Sequence, residues 1–189
     1  SAASDVYKRQ HNNSVKALLN FGYISEPLLI KTGISYVSAE GANMNLVNEL
    51  PDWNFDQVKA VAKKQWNQEL AKVDFEAEPD VMKIFYSALY HTLIAPSIFA
   101  DVDGKYRGAD GKIYMAEGFI PYTTFSLWDT YRAVHPLYTL IDNRVPDYIN
   151  TLLTIYKQQG RMPVWHLAGN ETDCMVGIHS LSLIHISEP

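Results

Sequence analysis

Two stretches of the sequence decide the fold class: NFDQVKAVAKKQWNQEL at residues 54–70 and PDVMKIFYSALYHTLIAP at residues 79–96. Asn54 precedes apolar residues that recur every three or four positions, and the glutamine three positions later completes the pattern of a capping box, so a helix is predicted to begin here. Pro79 suits the first turn of a second helix, and Pro96 predicts its end. The predicted inward faces are Val58, Val61, Ala62, Trp66, Leu70 and Val73, then Val81, Ile84, Phe85, Ala88, Leu89 and Leu93.

The residues before these two helices predict a strand and then a weaker helix. In LLIKTGISYVS, residues 28–38, β-branched and aromatic side chains recur at every second position, which is the period of a strand. From Ala39 to Leu50 the pattern becomes weakly helical, and Pro51 ends it. One strand that leads into a series of helices predicts a mainly α chain.

The residues after them predict more helices, joined by long loops. A capping box at Ser126 and Asp129 predicts a helix through Leu140 that is kinked or shortened at Pro136, and Pro146 opens a further helix. The predicted inward face of that last helix is Ile149, Leu152, Leu153 and Tyr156, and Gly160 ends it. Successive helices with long aromatic-rich loops predict an α/α barrel or toroid, because a simple bundle normally has shorter connections.

A long segment between the helices invites a metal-site interpretation. Residues 99–122 are predicted to form a loop that contains short strands, since loops of this length in compact domains usually do so or are functional. Within it, DVDGKYRGADGK at residues 101–112 resembles an EF-hand loop, which needs Gly at position six and Glu at position twelve. Those positions hold Tyr106 and Lys112, so a turn or hairpin is predicted instead of a metal site. The six scattered histidines, without a cysteine pair, give zinc no support.

The composition excludes several classes of protein. The chain has 189 residues, 47% hydrophobic residues and a formal net charge of -5, which is typical of a globular protein and argues against nucleic-acid binding. No apolar run reaches the roughly 20 residues of a membrane span. The single cysteine, Cys174, excludes an internal disulfide and is predicted to be a small buried hydrophobe.

The two ends of the chain look foreign to the rest. Residues 1–10, SAASDVYKRQ, and residues 181–189, LSLIHISEP, continue no periodicity of their neighbours and resemble translated adapter or vector sequence. The chain begins without Met, and no signal segment with a charged and then an apolar part follows. Both ends are therefore expected to be non-native, and the rest is expected to be an internal fragment of a longer protein.

The first group of residues that suggests chemistry is YTTFSLWDTYRAVHP, residues 122–136. It places Trp128, Asp129 and Arg132 together at the N-terminus of a predicted helix. A Trp face stacks on the apolar side of a sugar ring, a carboxylate accepts hydrogen bonds from two adjacent hydroxyls, and Arg can orient that carboxylate. The alternative is structural, because Asp129 at this position also caps the helix and complements its dipole.

The second group is GRMPVWHLAGNETDCMVGIHS, residues 160–180, predicted as a loop followed by a helix that begins at Cys174. Asn170 and Glu171 follow a glycine there, in a turn close to two aromatic residues. A carboxylate in such a loop can act as acid, base or clamp for sugar hydroxyls. The structural alternative is that Thr172 or Asp173 caps the next helix.

These segments together resemble glycoside hydrolase family 92. The resemblance rests on KTGISYVSAEGANMNL, WNQELAKV, FYSALYHTLIAPS, DVDGKYRG, YTTFSLWDTYRAVHPLYTLI and GRMPVWHLAGNETDCMVGIHS, which cover residues 30–180 in the order of the family. The family implies an N-terminal β-sandwich followed by an (α/α)6 barrel, with the site between them. On that basis residues 11–53 are the sandwich tail and connector, including its last strand, and residues 54–180 are the first helices and loops of the barrel.

The resemblance also implies roles for particular residues. Trp128 and Asp129 match the family's Trp-Asp pair and are expected to bind the terminal mannose, with Arg132 as a partner of Asp129. Asn170 and Glu171 match its Gly-Asn-Glu-Thr loop and are expected to line the same pocket. An inverting glycosidase needs a general acid and a general base about 6.5–9.5 Å apart. Both are expected beyond this chain, as are the calcium ligands, with acid catalysis by Glu171 as the less favoured alternative.

The implied activity is that of an exo-acting, calcium-dependent and inverting α-mannosidase from a bacterium. Its substrate would be a mannose-containing oligosaccharide or N-glycan, and the full-length protein would be periplasmic, secreted or displayed at the cell surface. This chain alone is expected to be inactive and to fold weakly or aggregate, because a partial barrel exposes apolar faces. Two alternatives stay open: a non-catalytic carbohydrate-binding or scaffold protein, and another α/α-barrel glycosidase that acts on glucosides.

Overall fold

The computed structural model describes residues 18–187, without the side chain of Ser187. The chain divides into two compact units, of which the first ends at Ile30 and the second begins at Lys31. In the first unit the described residues, 18–30, form neither helix nor strand, and their side chains are exposed. The second unit contains all helices and strands of the described residues.

Helices dominate the second unit, and its strands are short. The helices are α1 (Ala39–Glu49), α2 (Phe55–Leu70), α3 (Pro79–Thr92), α4 (Leu127–Thr130), α5 (Val134–Ile141), α6 (Val145–Gln159) and α7 (His179–Ser187). The strands are β1 (Ser97–Ile98), β2 (Lys105–Arg107), β3 (Ile113–Met115), β4 (Tyr122–Thr123), β5 (Phe125–Ser126), β6 (Trp165–Leu167) and β7 (Asn170–Glu171). The mainly α prediction is confirmed in this coarse form. None of the described helices has the length and apolar character that crossing a bilayer requires.

The strand predicted over residues 28–38 is wrong, since the described backbone there is irregular. A strand needs the backbone of a neighbouring strand as its partner, and residues 31–38 instead contact side chains and a helix. Asn45 Nδ2 of α1 donates to the carbonyl oxygen of Ile34 at 2.9 Å. Gly33 fits closely against the same helix, because an added Cβ would lie 2.2 Å from the carbonyl oxygen of Ala42. The alternating pattern therefore reflects a segment that lies along α1.

A buried polar network holds α1 in place. The Asp101 carboxylate accepts from Ser35 Oγ at 2.7 Å and from Asn45 Nδ2 at 2.8 Å. Asn45 Oδ1 in turn accepts from the backbone N–H of Val102 at 2.9 Å. Buried polar groups must be satisfied in this way, so the network connects the irregular segment, α1 and the loop after β1. The predicted helix from Ala39 is confirmed.

The starts of α2 and α3 agree with the sequence, but their inward faces do not, and the helices end before Val73 and Leu93. Asn54 Oδ1 accepts from the backbone N–H of Gln57 at 3.0 Å, and Pro79 is the first residue of α3. However, α2 buries none of its described residues, and α3 buries only Leu89. Of the twelve predicted inward residues six are exposed and only Leu89 is buried. The two helices contact each other through Trp66 and Tyr90, whose ring centroids are 4.4 Å apart.

The loop over residues 99–122 contains the predicted hairpin. Strands β2 and β3 pair antiparallel, with Tyr106 opposite Tyr114. Gly104 and Gly111 have φ of 84° and 80°, a region that glycine enters without steric cost. The turn or hairpin predicted for residues 101–112 is confirmed.

The helix predicted from Ser126 to Leu140 is two helices. Between α4 and α5 the chain turns at residues 131–133, and Pro136 is the third residue of α5. Proline inside a helix would clash with the carbonyl four residues before it, whereas it is tolerated in the first turn. The interruption therefore lies before Pro136. The capping box is also wrong, because the Ser126 side chain makes no cap hydrogen bond.

The core lies around α5, α6 and α7. It consists of Tyr122, Phe125, Leu127, Tyr138, Tyr148, Leu152 and Leu183. Along α6 the buried residues are Tyr148, Thr151, Leu152 and Ile155. The predicted inward residues Leu153 and Tyr156 are exposed, so the predicted face was rotated from the observed one. Leu183 of α7 lies within residues 181–189, which the sequence predicts to be non-native; the origin of that segment stays a prediction.

The segment after α6 differs from the prediction in two ways. Residues 161–173 were predicted as a loop and contain β6 and β7. The helix predicted to begin at Cys174 begins at His179. Cys174 is exposed, with its Sγ 3.1 Å from Thr172 Oγ1, so its prediction as a buried hydrophobe is wrong. The irregular backbone of residues 172–178 keeps this thiol outside the core.

Candidate functional site

A three-stranded sheet joins the two sequence segments that suggested chemistry. Strand β5 pairs antiparallel with β6, which places Phe125 opposite His166 and Ser126 opposite Trp165. Strand β6 also pairs with β7, which places His166 opposite Glu171. Because α4 begins directly after β5, this pairing determines where the helix carrying Trp128 starts.

The turn between β6 and β7 is tight and firmly attached. Its two central residues, Ala168 and Gly169, have φ of 50° and 79°, as a two-residue hairpin turn of type I′ requires. The backbone N–H of Ala168 donates to Thr123 Oγ1 at 2.7 Å. Thr124, between β4 and β5, also has a positive φ of 69°. Residues with side chains held at positive φ store strain, and such residues concentrate at functional sites.

Trp128 lies half-buried in a group of stacked side chains. The guanidinium carbon of Arg132 is 5.0 Å from the ring centroids of both Trp128 and Tyr131. Arg132 Nε also donates to the Tyr131 hydroxyl at 2.6 Å. His179, the first residue of α7, stacks on Tyr131 with 4.0 Å between ring centroids. These contacts hold the indole at the point where β5 passes into α4.

Asp129 is exposed beside this group. In the described part of the chain, its carboxylate has no hydrogen bond or ion pair with another residue. Arg132, which the resemblance implies as its partner, instead contacts the two aromatic rings. The structure thus brings Trp128 and Arg132 together and leaves both oxygens of Asp129 available to a ligand.

The Glu171 side chain is turned toward the backbone of its own loop. One carboxylate oxygen accepts from the N–H of Val164 at 2.8 Å. The other accepts from the N–H of Trp165 at 3.0 Å and from the N–H of Asp173 at 3.2 Å. Thr172 and Asp173 do not open a helix here, so the capping alternative for this loop is wrong. Asn170, in contrast, is exposed on β7.

The two aromatic residues beside the turn, Trp165 and His166 of β6, were not among the predicted site residues. His166 is buried, and neither of its ring nitrogens has a hydrogen-bond partner among the described residues. Burial lowers the pKa of His166, while the charge of Glu171 raises it by a smaller amount. Trp165 Nε1 is likewise buried without a partner. A signal did exist, since Trp165, His166 and Leu167 alternate apolar and polar side chains as a strand does.

A small cavity borders the three-stranded sheet, and a larger cleft lies beside α1 and β1. The small cavity of about 10 Å³ is bordered by His166, Tyr122 and Thr151. The larger cleft of about 430 Å³ is bordered by Tyr36, Asn45 and the loop through Thr124, among others. The small cavity has room for about one water molecule, and the larger one has room for a small ligand.

The described residues do not form a site for calcium. Across residues 18–187, no three His, Cys, Asp or Glu side chains are grouped as metal ligands would be. Calcium needs six to eight oxygen ligands, so the carboxylates Asp129 and Glu171 do not suffice for it.

Comparison with protein families matches residues 41–186 to the catalytic domain of glycosyl hydrolase family 92. Comparison with curated protein sequences gave no match.

Solved structures give closely related matches. An α-mannosidase of family GH92 from Bacteroides thetaiotaomicron is 40% identical, with a TM-score of 0.76 over 79% of this chain and 20% of that one. The same enzyme in complex with mannoimidazole has a TM-score of 0.77 at the same identity and coverage. An inverting mannosidase of family GH92 from Bacteroides thetaiotaomicron is 33% identical, with a TM-score of 0.73 over 79% of this chain and 21% of that one. The chain thus spans about a fifth of the length of these proteins.

Proposed function

The chain belongs to glycosyl hydrolase family 92, and we propose that it forms part of the mannose-binding site of a glycosidase that hydrolyses terminal α-linked mannose with inversion. The observation that carries this proposal is the pairing of β5 with β6. It joins the Trp128 segment and the Asn170 segment on one sheet. The mannoimidazole complex of a related α-mannosidase supports mannose as the sugar.

Three side chains are proposed to contact the sugar. Trp128 offers its indole ring to the apolar side of a pyranose. Asp129 accepts hydrogen bonds from two adjacent hydroxyls, since no described residue occupies its oxygens. Asn170, exposed on β7, adds an amide that can both donate and accept. Arg132 and Tyr131 hold the indole in place, which limits the entropy lost when a sugar binds.

The catalytic acid and base are proposed to lie in other parts of the longer protein. An inverting reaction needs two carboxyl groups about 6.5–9.5 Å apart, with a water molecule between one of them and the sugar. In this chain both oxygens of Glu171 accept from backbone N–H groups, which favours a structural role for it. The chain alone would therefore bind mannose weakly without hydrolysing it.

The architecture of the longer protein is also a proposal. Helices α2 to α7 would be the first part of an (α/α)6 barrel, and residues 11–53 would be the end of a β-sandwich and its connector. The exposed faces of α2 and α3 support this arrangement, since barrel helices pack against neighbours on both sides. Calcium would be bound by residues outside the described chain.

Substrate and location follow from the same proposal. The substrate would be a mannose-containing oligosaccharide or an N-glycan. Such glycans occur outside the cytoplasm, so the full-length bacterial protein would be periplasmic, secreted or held at the cell surface.

A turnover assay tests where the catalytic groups lie. The chain is incubated with an aryl α-mannoside in the presence of calcium, and release of the aryl group is followed. We expect no turnover above the buffer control. Turnover that disappears in Glu171→Gln would contradict the proposal, because it would make Glu171 a catalytic acid or base.

A binding assay tests the sugar contacts. Methyl α-mannoside is titrated into the chain, with an expected Kd on the order of 1 mM, about 4 kcal/mol of binding free energy. Trp128→Ala and Asp129→Asn should each weaken binding about tenfold, through loss of stacking and of charge-assisted hydrogen bonds. The matched controls are Trp53→Ala and Asp80→Asn, an exposed tryptophan and an acidic residue in the first turn of α3. Equal losses in variants and controls would contradict the assignment.

A further inference from the structure

We propose that Glu171 is a positioning residue that holds β6 against β5 and thereby sets the place of Trp128, instead of contacting the sugar itself. The link of this inference to mannose rests on the proposed function. We call the hydrogen bonds that the Glu171 carboxylate accepts from backbone N–H groups the clamp, and its effect on the sheet can be tested without any ligand.

The clamp is visible in the hydrogen bonds of one side chain. Glu171 holds three backbone N–H groups, two of them on consecutive residues, Val164 and Trp165, and the third on Asp173. The residue before them, Pro163, is fully buried and has no N–H to offer. The bend into β6 thus depends on an acceptor supplied from β7.

Glutamine cannot replace this acceptor. One carboxylate oxygen alone serves Val164, and the other alone serves Asp173. An amide has one oxygen, so in Glu171→Gln either orientation of the side chain would point an NH2 group at a backbone donor. Aspartate is one methylene shorter, and from β7 its carboxylate would not reach both donors. The position therefore needs the two acceptor oxygens and the length of glutamate.

The clamp reaches Trp128 through the sheet. Trp165, held by Glu171, is directly opposite Ser126 on β5, and Trp128 follows two residues later. The same segment also holds Trp165 through its carbonyl oxygen, which accepts from Thr172 Oγ1 at 3.0 Å. A second attachment joins the turn to β4, where Thr123 Oγ1 accepts from the Ala168 N–H. Loosening the bend is thus expected to loosen the start of α4.

The test compares Glu171→Gln with the unaltered full chain by amide hydrogen exchange, and then by mannoimidazole binding. We expect exchange at Val164, Trp165 or Asp173 to become about tenfold faster, the factor that corresponds to one lost backbone hydrogen bond. Exchange at residues 126–128 should also rise, and mannoimidazole should bind about tenfold more weakly. The matched control is Asp173→Asn, which breaks only the exposed ion pair with Arg161 and keeps a residue that tolerates φ of 53°.

Each other outcome has a definite meaning. If Glu171→Gln abolishes binding while the amides stay protected, Glu171 contacts the sugar and the proposal is overturned. If the amides loosen but residues 126–128 and binding stay unchanged, the sheet does not transmit the clamp, which also overturns it. If the unaltered chain does not bind mannoimidazole, the proposed function fails, and exchange at residues 126–128 still decides the clamp.

If Glu171→Gln unfolds the chain, amide exchange will be fast throughout α6, and a second pair of variants is needed to test the coupling. Thr123→Val removes the acceptor of the Ala168 N–H at nearly constant volume, and Thr123→Ser restores it. Faster exchange at Ala168 and residues 126–128 in the valine variant, with recovery in the serine variant, supports the coupling. Unchanged exchange at residues 126–128 in both overturns it.

Discussion

Two regions of the chain contain helices that look alike in sequence and differ in burial. We call residues 39–92, with α1 to α3, the helical region, and residues 97–187, with α4 to α7 and the strands, the core region. Helix α2 has 16 residues and a cap at Asn54, and α6 has 15 residues and a proline in its first turn. Yet α6 buries four residues and α2 buries none of those described.

The comparison separates what forms a helix from what stabilises it. Caps and terminal prolines set where α2 and α3 begin, and these are local signals. Most helical stability in proteins comes from packing of an apolar face, and among the described helices α6 of the core region buries more apolar residues than α2 or α3. The candidate site lies in the core region, on its sheet, where the backbone is held by long-range contacts such as that of Ala168 with Thr123.

The largest change in the free energy of unfolding is expected when the same type of substitution, isoleucine to alanine, is compared between the two regions. Ile155 of α6 is 4% exposed and Ile84 of α3 is 70% exposed. Ile155→Ala should lower the free energy of unfolding by about 2–5 kcal/mol, since it leaves a cavity. Ile84→Ala should change it by less than about 0.5 kcal/mol. Urea denaturation measures both, and equal losses would break the comparison.

The next effect concerns pH and the buried histidine of the core region. Burial lowers the pKa of His135 to about 4. Between pH 6.5 and about pH 4, the imidazole of His135 is protonated in the unfolded chain and neutral in the folded chain. The free energy of unfolding is therefore at its full value above pH 6.5 and falls as the pH decreases toward 4. The total loss is roughly 3 kcal/mol, in the same direction as that from His166.

Denaturation at a series of pH values measures this slope. His135→Asn should reduce it, because the variant side chain does not titrate there. His91→Asn is the control, since His91 is exposed on α3 in the helical region. The account would be contradicted if His91→Asn abolished the pH dependence of stability while His135→Asn left it unchanged.

The smallest effect is local to the helical region. Asn54→Ala removes the acceptor for the Gln57 N–H and should cost about 1 kcal/mol. Because α2 buries none of its described residues, the loss should appear as faster amide exchange within α2 and not within α6. Asn54→Ser keeps a capping oxygen and serves as the control. Equal acceleration in both helices would show that the two regions unfold together.

The sequence predicted those elements of the fold that depend on neighbouring residues. The start of α2 at Asn54, the start of α3 at Pro79 and the turns of the β2–β3 hairpin are all local signals, and the structure contains them. The strand over residues 28–38 failed because a strand also needs a partner, which no local pattern shows. The alternation at Trp165, His166 and Leu167 covers too few residues to distinguish a strand from a loop, and the two residues of β7 show no period, so both strands were predicted as loop.

For the candidate site, the sequence pointed to the right segments and not to their contacts. It selected Trp128 and Glu171, which the pairing of β5, β6 and β7 brings onto one sheet. It could not show that Arg132 lies over Trp128 or that Glu171 holds backbone N–H groups, because both depend on three-dimensional placement. The burial of His166 has the same origin.

The most direct test of the central claim is to map where mannoimidazole binds on this chain. Hydrogen exchange is measured with and without a saturating concentration of the compound. The account predicts added protection in two separate segments, residues 126–130 and residues 168–172, with none in α2. Protection confined to the cleft around Tyr36 and Asn45, or protection nowhere, would contradict the claim that the sheet joins two halves of a mannose site.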